Sequence, residues 1–114
     1  LYYEMLSGLE QKERIALPYV PEECTHNAHM FYIKTRDIEE RGDLIHFLKE
    51  NGIWSVFHYI PLHSAPAGRK FGRFAGEDKY TTRESERILR LPMYYGLKQE
   101  EVQYICEKVM EFYN

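Results

Sequence analysis

Apolar residues recur at helical spacing in some parts of this chain and run in short β-prone clusters in others. At the start, Leu1, Met5, Leu6 and Leu9 lie one helical turn apart, which predicts an amphipathic helix over residues 1–13. "IALPYVPEEC" follows, where Pro18 and Pro21 forbid helix and favour an extended connector ending near His26. "AHMFYIK", residues 28–34, is rich in aromatic and β-prone residues and reads as a first strand. In "DIEERGDLIHFLKENG", Asp37 is a natural cap, acidic residues fill the first turn, Leu44, Ile45 and Leu48 form one stripe, and Gly52 supplies a left-handed stop. "IWSVFHY", residues 53–59, reads as a second strand closed by Pro61. Beyond a glycine-punctuated stretch over 64–80, read as a long loop with room for a helical turn, "TTRESERIL" places Thr81 and Glu84 at capping-box spacing and predicts a short helix ending before Pro92. "RLPMYY" reads as a third strand with Pro92 at its end or a bulge. The final "QEEVQYICEKVMEFYN" carries Val102, Ile105, Cys106, Val109, Met110 and Tyr113 on one helical stripe.

Strand, helix and strand in succession with short connections leave the first two strands parallel. A third strand between them and antiparallel to both gives a small three-stranded sheet of order 1-3-2, with helices packed on one face: an α+β domain. Burying the apolar stripe of the last helix contributes on the order of 10 kcal/mol, comparable to the net stability of a whole domain, so this helix is expected to be indispensable.

Composition narrows the function. A length of 114 residues at 44% hydrophobic suits one domain with a real core and not two. The net charge of −3 offers no positive field for nucleic acid or anionic lipid. No apolar run approaches the roughly 18 residues that cross a bilayer, Cys24 and Cys106 have no CxxC spacing, and a reducing cytoplasm is the expected setting. The chain opens inside a helical pattern without an initiator methionine, so a piece of a larger protein is expected.

The chemistry-bearing candidates are few. "HYIPLH" gathers His58, Tyr59 and His63 where the second strand leaves the core. Polar rings placed there need hydrogen-bond partners, within the fold or on a ligand. Cys24, His26 and His29 with His58 and His63 could form a metal shell, but no CxxC or HExxH spacing supports it. Cys24 beside a histidine lacks any nucleophile-elbow context, and Cys106 falls on an apolar stripe. "GRKFGRFAGEDK" lacks the GK[ST] ending of a phosphate loop, although Arg69, Lys70 and Arg73 could clamp an anion. Phe31 and Tyr32 stand in no RNP-type string, against an RNA-binding sheet.

Taken together, "HNAHMFYI", "VFHYIPLH", "APAG", "GEDKYTT" and "ESERILRLPMYYGL" make nearly the whole chain similar to the C-terminal region of sugar-nucleotide aminotransferases of the DegT/DnrJ/StrS family. The resemblance implies residues 1–114 as a single C-terminal small domain of a fold type I enzyme, its N-terminal domain holding pyridoxal 5'-phosphate and the Schiff-base lysine. Lys12, Lys34, Lys49, Lys70, Lys79, Lys98 and Lys108 are then not that lysine, and these residues alone are expected to bind no cofactor and to be inactive. It further implies a full-length homodimer that passes an amino group from glutamate, through the cofactor as electron sink, to C4 of a dTDP-4-keto-6-deoxyhexose, for cell-envelope polysaccharide. His63, Tyr59 and His58 fall on the family's Y-x-P-x-H segment, so the resemblance makes them substrate-binding residues. Asn27 and His29 also match family positions, where packing explains them as well as ligand contact does. Lys98 stands at the N-cap of the last helix in place of Thr or Ser, a start weaker by about 1 kcal/mol. The rival reading is a free-standing module in which the histidines hold a metal or a small anion.

Overall fold

The computed structural model describes residues 1–114. Five helices and three strands follow in the order α1 (Tyr2–Gln11), β1 (Phe31–Lys34), α2 (Ile38–Glu50), β2 (Val56–Phe57), α3 (Pro66–Phe71), α4 (Thr81–Arg87), β3 (Ile88–Leu91) and α5 (Gln99–Tyr113). The sheet has the order β1-β3-β2 and β3 runs antiparallel to both neighbours. Alternation along the strands separates two faces. Phe31, Ile33, Leu89 and Leu91 are buried, while Tyr32, Lys34, Ile88 and Arg90 on the opposite face are half-buried. The buried face meets Leu6 and Leu9 of α1, Leu44 and Leu48 of α2, and Ile105, Cys106 and Val109 of α5 in one core.

Local chemistry explains where the elements stop. Asp37 accepts the Glu40 amide at 2.9 Å and caps α2, and Gly52 takes φ +75° just past the end of that helix. The connector after α1 is extended: Ala16 and Lys34 exchange backbone hydrogen bonds of 2.9 and 3.0 Å, which covers the outer edge of β1. β1 begins three residues later than the β-prone run because Ala28 is left-handed (φ 53°). His26 Nδ1 accepts the Ala28 amide and Asn27 Oδ1 accepts the His29 amide, which builds a tight turn there. β2 is only two residues long: residues 53–55 stay outside the ladder, and beyond Phe57 the chain turns away where Tyr59 is left-handed (φ 49°).

The Thr81–Glu84 capping box does not form. Tyr80 occupies the N-cap, Asp78 accepts the Thr82 amide at 3.3 Å instead, and Glu84 turns away to pair with Lys34 at 2.8 Å. β3 starts directly at the end of α4, two residues earlier than "RLPMYY" predicts, and Pro92 lies just outside it with its carbonyl accepting the Tyr2 hydroxyl at 2.8 Å. At α5 the Lys98 ammonium has no lone pair with which to cap, yet the Lys98 amide donates to Glu101 Oε2 at 2.8 Å, so one half of the expected loss is offset.

Candidate substrate-binding corner

Where β2 ends, residues 58–63 turn back on themselves. The Pro61 carbonyl accepts from the amides of Ser64 and Ala65 at 2.9 and 3.0 Å, and α3 follows with Pro66 in its first turn. The turn and α3 touch backbone to backbone: a Cβ on Gly68 would lie 1.6 Å from the Leu62 carbonyl oxygen. Only a glycine lets the helix close on the corner in this way.

The corner is locked from the other side. His63 Nε2 stands 2.9 Å from Asp78 Oδ2, and the ring packs on Phe74 with centroids 4.5 Å apart. The Thr82 hydroxyl also donates to Asp78 Oδ2. That hydroxyl proton is therefore committed, and the Thr82 oxygen, 3.4 Å from His63 Nε2, can only accept. Nε2 therefore donates to Asp78, which leaves Nδ1 without a partner in the fold. The Thr82 hydrogen bond, with the nearby imidazole adding to it, holds the Asp78 carboxyl below its ordinary pKa. A charged acceptor is thus maintained opposite the imidazole.

The other residues of the motif differ. Tyr59 is 72% exposed, and its ring meets the His58 ring edge-on at 5.0 Å. His58 Nδ1 is buried without a hydrogen-bond partner. Arg69 and Arg73, flanking the turn after α3, make no ion pair, and the Lys70 ammonium lies over its own neighbour Phe71. The structure thus brings His58, Tyr59 and His63 into one corner but commits His63 Nε2 to the fold. Asn27 serves its own turn, and His29 stands exposed beside a separate small cavity. Asp78 and Thr82 escaped sequence reasoning because nothing local ties them to His63. The one available hint was an aspartate four residues ahead of a threonine at a helix start.

Cys24, His26 and His29 do not converge with His58 and His63, and no three His, Cys, Asp or Glu side chains gather in metal-binding geometry. The cysteines differ sharply: Cys24 is exposed, whereas burial pushes the Cys106 thiol up to about 11. Titration of the native protein with a thiol-reactive dye at pH 8 is expected to modify Cys24 at least tenfold faster than Cys106, with equal rates after denaturation.

These features lie on a chain whose residues 1–110 match the model of the DegT/DnrJ/EryC1/StrS aminotransferase family. The chain belongs to that family. The "Pleiotropic regulatory protein" of Geobacillus stearothermophilus is 36% identical over 98 residues, which is 85% of this chain and 26% of that protein. Among solved structures, DesV of S. venezuelae, in complex with a ketimine intermediate, superposes with a TM-score of 0.78 at 28% identity over 97% of this chain and 29% of its own. A sugar aminotransferase from Streptococcus pneumoniae, described as putative and solved in its PMP form, gives 0.76 at 26% identity over 97% and 28%. TlmJ of Streptoalloteichus hindustanus, at 21% identity and a TM-score of 0.81 over 98% and 29%, shares the fold. The chain spans about a quarter of the curated relative and under a third of each of these solved chains. No helix of it is long and apolar enough to cross a membrane.

Family membership implies pyridoxal phosphate, and five of the seven lysines here are already engaged within the domain. Lys34, Lys79 and Lys108 are ion-paired with Glu84, Glu77 and Glu111, and Lys49 and Lys70 lie over Trp54 and Phe71. A Schiff-base amine requires a desolvated or electrostatically tuned pocket, and these five ammonium groups instead face glutamates or aromatic rings. No step through the cofactor is therefore assigned to these residues.

Proposed function

We propose that these residues form the small, substrate-facing domain of a pyridoxal phosphate-dependent sugar-nucleotide aminotransferase whose cofactor is held by another domain. The activity proposed is that of a dTDP-4-amino-4,6-dideoxygalactose transaminase: glutamate donates, and the acceptor is C4 of a dTDP-4-keto-6-deoxyhexose used for cell-envelope polysaccharide of the lipopolysaccharide or enterobacterial common antigen type. The whole enzyme acts as a homodimer, as its family does. One observation carries the assignment of the corner: His63 is oriented by Asp78 and Thr82 with Nδ1 left over, in the same strand-exit segment as exposed Tyr59 and the unpartnered Nδ1 of His58. Rigidly held donors and acceptors at the exit of a strand suit sugar hydroxyls and pyrophosphate oxygens, because their ordering is completed during folding and not at binding. The roles follow from the atoms. His63 Nδ1 hydrogen-bonds a sugar hydroxyl, the Tyr59 hydroxyl donates to a phosphate or sugar oxygen, and His58 Nδ1 finds its missing partner on the ligand.

Steady-state kinetics of the natural chain with the dTDP-keto-sugar test this. His63→Ala removes one or two hydrogen bonds and should raise KM about 10-fold, Tyr59→Phe about 3- to 10-fold, with kcat changed less than KM. Unchanged KM in both variants would remove the corner from the substrate site, and stoichiometric zinc in the purified protein would favour the rival binding module.

A further inference from the structure

Three arginines are half-buried: Arg41, Arg87 and Arg90. Arg41 donates to the Ser85 carbonyl at 2.9 Å and lies over Phe57, and Arg87 donates to the Thr35 carbonyl at 2.7 Å and reaches Glu84. The Arg90 guanidinium has neither a carboxylate within ion-pairing range nor a hydrogen-bond acceptor, and its Nε is buried. Arg41 Nε is buried without a partner as well, but Arg41 has the Ser85 carbonyl for its Nη, whereas the Nη groups of Arg90 meet no protein acceptor. Its place in the fold is definite. Arg90 sits in the middle strand between Tyr32 and Val56, on the sheet face opposite the core. It opens on a cavity of about 210 Å³ whose walls include Met30, Trp54, Val56 and Met93, with exposed His29 on the rim. No acidic residue lines this cavity, so its one permanent formal charge is an unanswered cation among apolar and aromatic walls.

We infer that Arg90 anchors the oxyanion head, carboxylate or phosphate, of a small ligand whose flat or apolar part lies against Trp54. With Nε buried in the wall, the two Nη groups are the donors left to meet the oxygens of either head. Trp54, 74% exposed and steadied by the Lys49 ammonium 5.5 Å from its ring, offers an open face for stacking. The site is independent of the His63 corner and stands whether or not that corner binds sugar.

The test is calorimetric titration of the natural chain at low salt with two probes, inorganic phosphate and glutarate, on the wild type, Arg90→Gln and Arg90→Lys, the Trp54→Phe variant showing whether Trp54 fluorescence reports the same event. Saturable binding of either probe is expected, weakened about tenfold or more by Arg90→Gln and partly retained by Arg90→Lys, which keeps charge but loses the fork. Preference for phosphate assigns a phosphorylated ligand, and preference for glutarate a carboxylate. Should Arg90→Gln fail to fold, the Arg90 Nε–H resonance of the wild type is followed instead, and it must shift along the same isotherm. Absence of binding by both probes, or binding indifferent to Arg90, overturns the inference.

Discussion

Val109→Asp abolishes the cooperative fold. Val109 is fully buried on α5, in the core shared with α1, α2 and the sheet. A carboxyl placed there has no partner, and burial raises such a group by 3 to 5 pKa units, a cost of about 4–7 kcal/mol at neutral pH. Domains of this size have about 5–15 kcal/mol to lose. Val109→Ala removes only methyl groups and should cost about 2 kcal/mol, leaving a folded but less stable protein. Chemical denaturation followed by circular dichroism separates the cases: a shifted transition for alanine, no transition for aspartate. A folded aspartate variant would mean that α5 is not the keystone its stripe implies.

Gly68→Ala is the second large effect, and a local one. The new Cβ would meet the Leu62 carbonyl oxygen at 1.6 Å and its carbon at 2.6 Å, backbone atoms with no rotamer to yield. α3 must lift away, and the turn carrying His63 moves with it. Because α3 buries no side chain, the global unfolding midpoint should change little. Turnover of the natural chain should nevertheless fall about 100-fold, the scale of an ångström-sized misplacement. Gly42→Ala is the matched control: nothing lies within 4 Å of its Cβ, it is inside α2, and the substitution should stabilise by about 0.5–1 kcal/mol. Normal kinetics in Gly68→Ala would show that α3 does not brace the corner.

Legibility in the sequence followed the range of the interactions. α2 was readable at both ends because its signals, Asp37 and Gly52, act on residues three or four away. α5 was readable because its stripe repeats through several turns, and the strand order followed from short connections. β2 was overestimated because β-prone composition runs through Tyr59 while the backbone turns left-handed there. The start of β3 was hidden because "TTRESERIL" continues a helical pattern past the point where the chain extends. At the corner, the histidines and tyrosine were visible as unusual residues at a strand exit. The partner that fixes His63 lies across an intervening helix and loop, so no local pattern could announce it. Arg90 is the extreme case, since what distinguishes it is the want of any acceptor in three dimensions.

The junction between α4 and β3 has no intervening residue: Arg87 ends the helix and Ile88 opens the strand. Helical phase therefore dictates strand parity. One extra residue at that seam would exchange the two sides of β3, sending Arg90 into the greasy layer and Leu89 into the open. An insertion there is consequently expected to cost the sheet its register, and the seam couples the length of α4 to the packing of the core.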